Sequence, residues 1–304
     1  MSPVAETVAG VSLTNPDRVL YPEGGPNKRE LALYLEAVAG HMLPFVKRRP
    51  LSLVRCPDGI ARPCFFQKHL TAGMPQGFHE VTVTERDGDR APYLYIEDVA
   101  GLIGAAQISA LELHVWGATI DDLEHPDRLV FDLDPAEDVA FADVRSTARD
   151  IRDLLAAANL QSYPLLTGGK GIHVVVPLSG ANDWPEVKGF AEAVARTLEK
   201  REPGRFIASA AKAKRGGRIF IDWLRNERGA TAIAPYSPRA RKGAAVAMPV
   251  NWTELGSVKS ANAYDTRTAL RRIAGLKADP WTGYAKGARI AKRTLAAALK
   301  ASES

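Results

Sequence analysis

The stretch Leu129-Val130-Phe131-Asp132-Leu133-Asp134-Pro135 constrains the fold more than any other part of the chain. Its period-two alternation predicts a strand with Phe131 and Leu133 turned into a core, while Asp132 and Asp134 emerge together on the opposite face, about 6.6 Å apart. Two carboxylates that close repel each other unless a cation or a proton lies between them. Pro135 cannot donate to a sheet ladder, so the strand ends there and both acids sit at its mouth, where open sheets often place a site. Hard oxygen donors suit Mg²⁺ or Mn²⁺. An edge strand carrying two solvated acids would read the same way.

A third acid lies in another apolar run, Ile219-Phe220-Ile221-Asp222-Trp223. Burying a lone carboxylate is costly, so Asp222 needs a metal, an arginine or water. Arg218 and Arg225 are near enough in sequence to form a purely structural salt bridge. Three acids on two strands also fit a two-metal phosphoryl-transfer site, with ions about 3.5 to 4 Å apart. Between the two runs lies Leu166-Thr167-Gly168-Gly169-Lys170-Gly171-Ile172-His173-Val174. Glycines let backbone N–H groups close around an anion, with Thr167 offering a hydroxyl and Lys170 a charge. This is not a Walker A loop, because a strand follows the lysine. A plain Gly-Gly hairpin turn and a satisfied core histidine at His173 are the alternatives.

Around these motifs, Asn27 caps a helix with Glu30 as capping-box partner, and Leu31, Tyr34, Leu35 and Val38 form its apolar stripe. Strands are predicted over 51–55, 79–84, 111–116, 128–134, 164–167, 172–177 and 218–223, and helices over 98–108, 141–158 and 184–200. The pattern defines a mixed α+β (α/β) class. With no linker or repeat in its 304 residues, one catalytic domain over 13–290 is expected. A flexible segment would precede it at 1–12, and a basic, frayed tail would follow at 291–304.

The charge is unevenly placed. Residues 1–199 hold 18 Lys+Arg and 28 Asp+Glu, whereas residues 200–304 hold 22 and 7. A segment so basic fits a polyanionic partner or a solvated helical surface. No long apolar run or leader-like start is present, so a cytoplasmic protein with two reduced cysteines is expected. Cys56, Cys64, His69 and His79 could in principle hold zinc, but the Cys-x7-Cys spacing is not that of a zinc knuckle or finger.

Seven motifs in order resemble the polymerase domain of bacterial ligase D, a member of the archaeo-eukaryotic primase superfamily. They are Leu13-Thr14-Asn15 through Tyr21-Pro22, Phe65-Phe66-Gln67-Lys68-His69, Leu111-Glu112-Leu113-His114, and His125 through Pro135. The Thr167 to His173 turn, Asp222-Trp223-Leu224-Arg225-Asn226, and Ala234-Pro235-Tyr236-Ser237-Pro238-Arg239-Ala240-Arg241 complete the set. The similarity runs from about Leu13 to Leu255. It implies a primase-polymerase core with mixed sheets lining a cleft and flanking helices. The implied activity is a nucleotidyltransferase that extends or fills primer ends in non-homologous end joining, often with ribonucleotides and Mn²⁺.

By this resemblance Asp132, Asp134 and Asp222 match the metal-binding triad. Thr167, Gly168, Lys170 and His173 match the triphosphate turn, with Arg215, Arg239 and Arg241 as further nucleotide contacts. His114 and Thr167 match positions near the ribose, with Thr where relatives commonly have Ser. Asn15, Arg18 and Lys28 match a pocket for a downstream 5′-phosphate, Arg18 replacing a lysine found in some relatives. Phe65 and Phe66 match rings beside the template base, and Arg55 and Lys68 accompany them on the DNA-binding surface. Read without the family, adjacent phenylalanines in a strand would put one ring in the core and one outside. DNA ends or gapped duplex and nucleoside triphosphates are implied partners, as are Ku and a DNA ligase. A non-catalytic DNA-end-bridging module and a replicative primase are the competing readings.

Overall fold

The computed structural model describes residues 6–85 and 87–303. The chain forms two compact units. One comprises the residues up to 116 with 233–248 and 264–277; the other comprises 117–232, 249–263 and the residues from 278 onward. Two short strands, Thr231–Ile233 and Met248–Pro249, lie where the chain passes from one unit to the other.

In the first unit, the helix Lys28–Val46 begins at the predicted Asn27 cap, with both capping-box bonds to Glu30 formed. Its stripe of Leu31, Tyr34, Leu35 and Val38 is buried, and it packs on the helix Val99–Gln107. The strands Phe65–Gln67, Leu51–Arg55 and Ala110–Trp116 form an antiparallel sheet in that order. The strands Phe78–Thr84 and Arg90–Ile96 pair as a separate hairpin. Of the segment expected to be flexible, residues 1–5 lie outside the described residues, while Glu6–Val8 and Val11–Leu13 pair as a hairpin.

The two cysteines correct the expectation of reduced thiols. Cys56 and Cys64 form a disulfide, because they lie just beyond the last paired residues, Arg55 and Phe65, of two antiparallel strands. That pairing brings their Cα atoms to 4.5 Å, within bonding range. It also removes both thiolates from any zinc site. His69 and His79 are packed instead against Tyr93 and Tyr95.

The second unit is built on a sheet whose strands run Phe206–Ile207, Ile219–Asp222, Arg128–Pro135, Ile172–Pro177 and Tyr163–Leu166, with Met248–Pro249 at the far edge. Arg128–Pro135 is antiparallel to both neighbours. Helices Phe141–Ala157 and Trp184–Arg201 pack on this strand. Phe131, Leu133, Val174 and Ile221 are buried, as their alternation predicts. The tail forms the helix Lys292–Glu303, which packs against Trp184–Arg201. No helix among the described residues is long and apolar enough to cross a membrane.

Candidate active site

Register brings the acids together. Asp132 pairs directly with Asp222 on one side and with His173 on the other, so the three form a row across three strands on one sheet face. Asp134 stands two residues along the same face, opposite Phe220. Gly171 precedes this row, and a Cβ there would collide with the Leu133 carbonyl oxygen. The glycine therefore lets the turn close against the strand bearing Asp132 and Asp134.

Each of the two central carboxylates uses its oxygens differently. Asp132 Oδ1 lies 3.4 Å from His173 Nε2; Asp222 Oδ1 accepts from the Leu224 N–H at 2.9 Å. Both Oδ2 atoms face one guanidinium. Arg225 Nη2 is 3.0 Å from Asp132 Oδ2, and its Nε is 3.2 Å from Asp222 Oδ2. Asp134 pairs with Arg215 at 2.6 Å, and that arginine also stacks on the Phe220 ring. Burial alone would raise the Asp132 carboxyl, but His173 and Arg225 hold it well below the usual range. Asp222 is pushed up by burial, which outweighs Arg225 and is reinforced by the Asp132 charge.

The anticipated structural salt bridge is thus formed by Arg225, to two acids at once. The donor set still fits a hard divalent cation, because the partly buried carboxylates of Asp132 and Asp222 on adjacent strands converge where a positive group already sits. Among the described residues no cluster of three or more His, Cys, Asp or Glu encloses a metal position. Asp134 is engaged with Arg215 instead.

The glycine turn is internally bonded. The Thr167 hydroxyl donates to the Gly171 carbonyl at 2.9 Å, Gly168 adopts a positive φ of 68°, and its N–H donates to Ala261. Lys170 is exposed beside Glu137. His173 is buried with Nε2 towards Asp132, and among the described residues its Nδ1 has no hydrogen-bond partner, so it is not a fully satisfied core histidine.

The remaining anticipated residues lie in the first unit. Asn15, Arg18 and Lys28 are drawn together by backbone bonds from Arg18 N to Asn15 O and from Lys28 N to Arg18 O, each 3.0 Å. Lys28 is buried, and its ammonium donates to the carbonyls of Thr14 and Gln107 at 2.9 Å. Burial, with Arg18 nearby, lowers its pKa. Two cations gathered without a strong counter-charge suit an anion; the closest acid to Arg18 is Asp58 at 4.0 Å.

Phe65 and Phe66 depart from the one-in, one-out expectation, being 48% and 70% exposed. Their three-residue strand is a sheet edge, open at Phe65 and Phe66 and buried at Gln67. Arg55 stacks on Phe65 at 5.4 Å, and Phe66 meets the His114 ring at 6.1 Å. Lys68 is held by Glu85 and Tyr93. Arg241 is exposed.

Two functional-looking residues escape sequence reasoning. Glu112 is buried between His114 at 2.7 Å and Arg239 at 3.0 Å and accepts the Ala240 N–H. Burial opposes its ionisation, yet these partners bring its pKa down to about 2. Its alternation with His114 along one strand was the available signal. Asn226 is the other; its side chain bonds the Val130 backbone from the turn that follows Asp222.

Paired acids on adjacent strands, a glycine turn against them and flanking arginines are the arrangement expected of a primase-polymerase-type nucleotidyltransferase. Residues 27–281 match the model of the LigD primase-polymerase domain, and the chain belongs to that family. It is 38% identical over 278 residues to the multifunctional non-homologous end joining protein LigD of Pseudomonas aeruginosa, covering 91% of this chain and 33% of that protein. The bifunctional LigD of Bacillus subtilis is 29% identical, covering 86% of this chain and 42% of that protein. The solved polymerase domain of Mycobacterium tuberculosis ligase D in complex with DNA superposes with a TM-score of 0.80 at 35% identity. That match covers 87% of this chain and 94% of the other. The mixed α+β fold and the family expected from the motifs are both borne out. The chain spans about a third of the length of the LigD proteins of Pseudomonas aeruginosa and the mycobacteria.

Proposed function

We propose that residues 13–290 act as a catalytic domain that extends or fills primer ends at DNA breaks during non-homologous end joining, in the cytoplasm at the nucleoid. The observation that carries this reading is the row of Asp222, Asp132 and His173 across three strands, with Asp134 on the same face. Asp132, Asp222 and Asp134 would hold Mg²⁺ or Mn²⁺. The bound ions would supply charge stabilisation for in-line attack of a primer 3′-hydroxyl on an α-phosphate with loss of pyrophosphate.

The chain's own residues do the rest. His173 fixes one oxygen of Asp132 from a buried position. Thr167 and Gly171 shape the turn that presents Lys170 to the triphosphate, and Arg215, Arg239 and Arg241 add phosphate contacts. His114 is held by Glu112 to meet the sugar, with ribonucleotides favoured. Asn15, Arg18 and Lys28 take the downstream 5′-phosphate. Phe65 and Phe66, with Arg55 and Lys68, contact the template, base stacking contributing about 1 to 3 kcal/mol per base. Ku and a ligase are the proposed partners in the break.

The test is primer extension on gapped duplex with a downstream 5′-phosphate, comparing ribo- and deoxynucleotides with each metal. Asp132→Ala and Asp222→Ala abolish incorporation; full activity in either overturns the assignment. DNA-end binding with no incorporation under any metal would make the chain a bridging module instead.

A further inference from the structure

Asp132 and Asp222 each commit one oxygen to the protein, to His173 and the Leu224 N–H respectively, and both commit the other to Arg225. The two Oδ2 atoms thus share one guanidinium, and a divalent cation held by both acids would compete with it for them. Arg225 is the third residue after Asp222, on a short 3-10 turn, Leu224–Asn226. The turn itself is fixed, because Asn226 bonds Val130 and Trp223 with its side-chain amide. The arginine side chain is not sealed in. It is 40% exposed, and its further bond among the described residues is a long one, 3.4 Å to the Thr231 carbonyl.

We infer that Arg225 is an internal counter-ion that competes with the divalent metal for Asp132 and Asp222, and so makes metal binding depend on the nucleotide. The inference rests on the metal-site reading above. Two carboxylates and one guanidinium leave a residual negative charge, enough to attract a metal ion. A divalent ion added to that set makes it net positive and repels the arginine. The displaced guanidinium then needs an anion, and a triphosphate supplies one with matching bidentate geometry. Metal and triphosphate together thus relieve a conflict that metal alone creates, and linkage requires each to tighten the other. Arg225 acts on the metal through the two acids and, once displaced, contacts the triphosphate itself.

The experiment is a Mn²⁺ titration of the full chain, read by the EPR signal of free Mn²⁺, with and without a non-hydrolysable α,β-methylene nucleoside triphosphate. Wild type, Arg225→Gln, Arg225→Lys and Asp132→Ala are compared, with folding checked by circular dichroism. Arg225→Gln is expected to bind Mn²⁺ alone about tenfold tighter than wild type, as loss of one charged competitor worth about 1.4 kcal/mol would give. Its further gain on adding the analogue is expected to be smaller than that of wild type. Arg225→Lys keeps the charge but loses the fork, so it falls between the two; it carries the test alone if Arg225→Gln does not fold. Equal or weaker Mn²⁺ binding by the folded variants overturns the inference while leaving the metal site standing. Absence of Mn²⁺ binding by wild type even with the analogue, or binding unchanged in Asp132→Ala, removes the metal site and the inference with it.

Discussion

Asn226 grips Val130 by both of its backbone groups: the side-chain oxygen accepts the Val130 N–H at 2.7 Å, and the side-chain nitrogen donates to the Val130 carbonyl at 2.8 Å. This ties the turn after Asp222 to the strand bearing Asp132 and Asp134. Asn226→Ala leaves two buried groups unpaired and is expected to destabilise the protein by about 2 to 4 kcal/mol. Urea melts measure the loss. Primer extension is expected to fall further than the folded fraction does, since the acid strands lose their tether.

Gly171 lies against the Leu133 carbonyl, and any Cβ there forces the turn away from the acid-bearing strand. Gly171→Ala is expected to cost about 1 to 3 kcal/mol through overpacking and to reduce incorporation strongly. The neighbouring exposed Lys170→Ala is the stability-neutral comparison, and thermal melts of both variants separate the two effects.

Glu112 titrates near 2 in the folded protein against an ordinary 4.5. A carboxyl with a lowered folded pKa contributes stability that is present above 4.5 and is lost as pH falls towards 2. The folding free energy is expected to decline through that window. Glu112→Gln removes this contribution, so its denaturant midpoint is lower near neutral pH and changes less across the same acid range.

Among the described residues, Arg18 and Lys28 form a basic pair whose partners are carbonyls and, at 4.0 Å, Asp58. Arg18→Ala is expected to remove most of the preference for a gap bearing a 5′-phosphate. It should also lower the salt slope of binding to that substrate by about 0.9, one phosphate contact. Extension on a plain primer-template is largely unchanged. Equal loss on both substrates would remove the pocket assignment.

The Cys56–Cys64 disulfide closes the turn between the Arg55 and Phe65 strands. Chain entropy for a loop of this length predicts that Cys64→Ser costs about 2.5 kcal/mol. The variant should melt lower than the oxidised wild type, and a dithiol reductant should bring the wild type to the same midpoint. A melt indifferent to both changes would show that the bridge constrains nothing.

What sequence alone determined is local. Alternation placed Asp132 and Asp134 on one strand face, the Asn27 and Glu30 spacing fixed a helix start, and the ordered motifs specified the family. The first two depend on residues a few positions apart, where backbone periodicity dictates which side chains share a face; the family rests on seven motifs in order along most of the chain. Only the tertiary structure set Asp222 opposite Asp132, laid one arginine across both and enclosed Glu112 between His114 and Arg239. It also exposed both Phe65 and Phe66 on a sheet edge, joined two cysteines that had read as reduced thiols and divided the chain into two units. These outcomes rest on strand register and on contacts between segments distant in the chain. Side-chain periodicity says which face a residue takes; it does not say which strand will lie beside it.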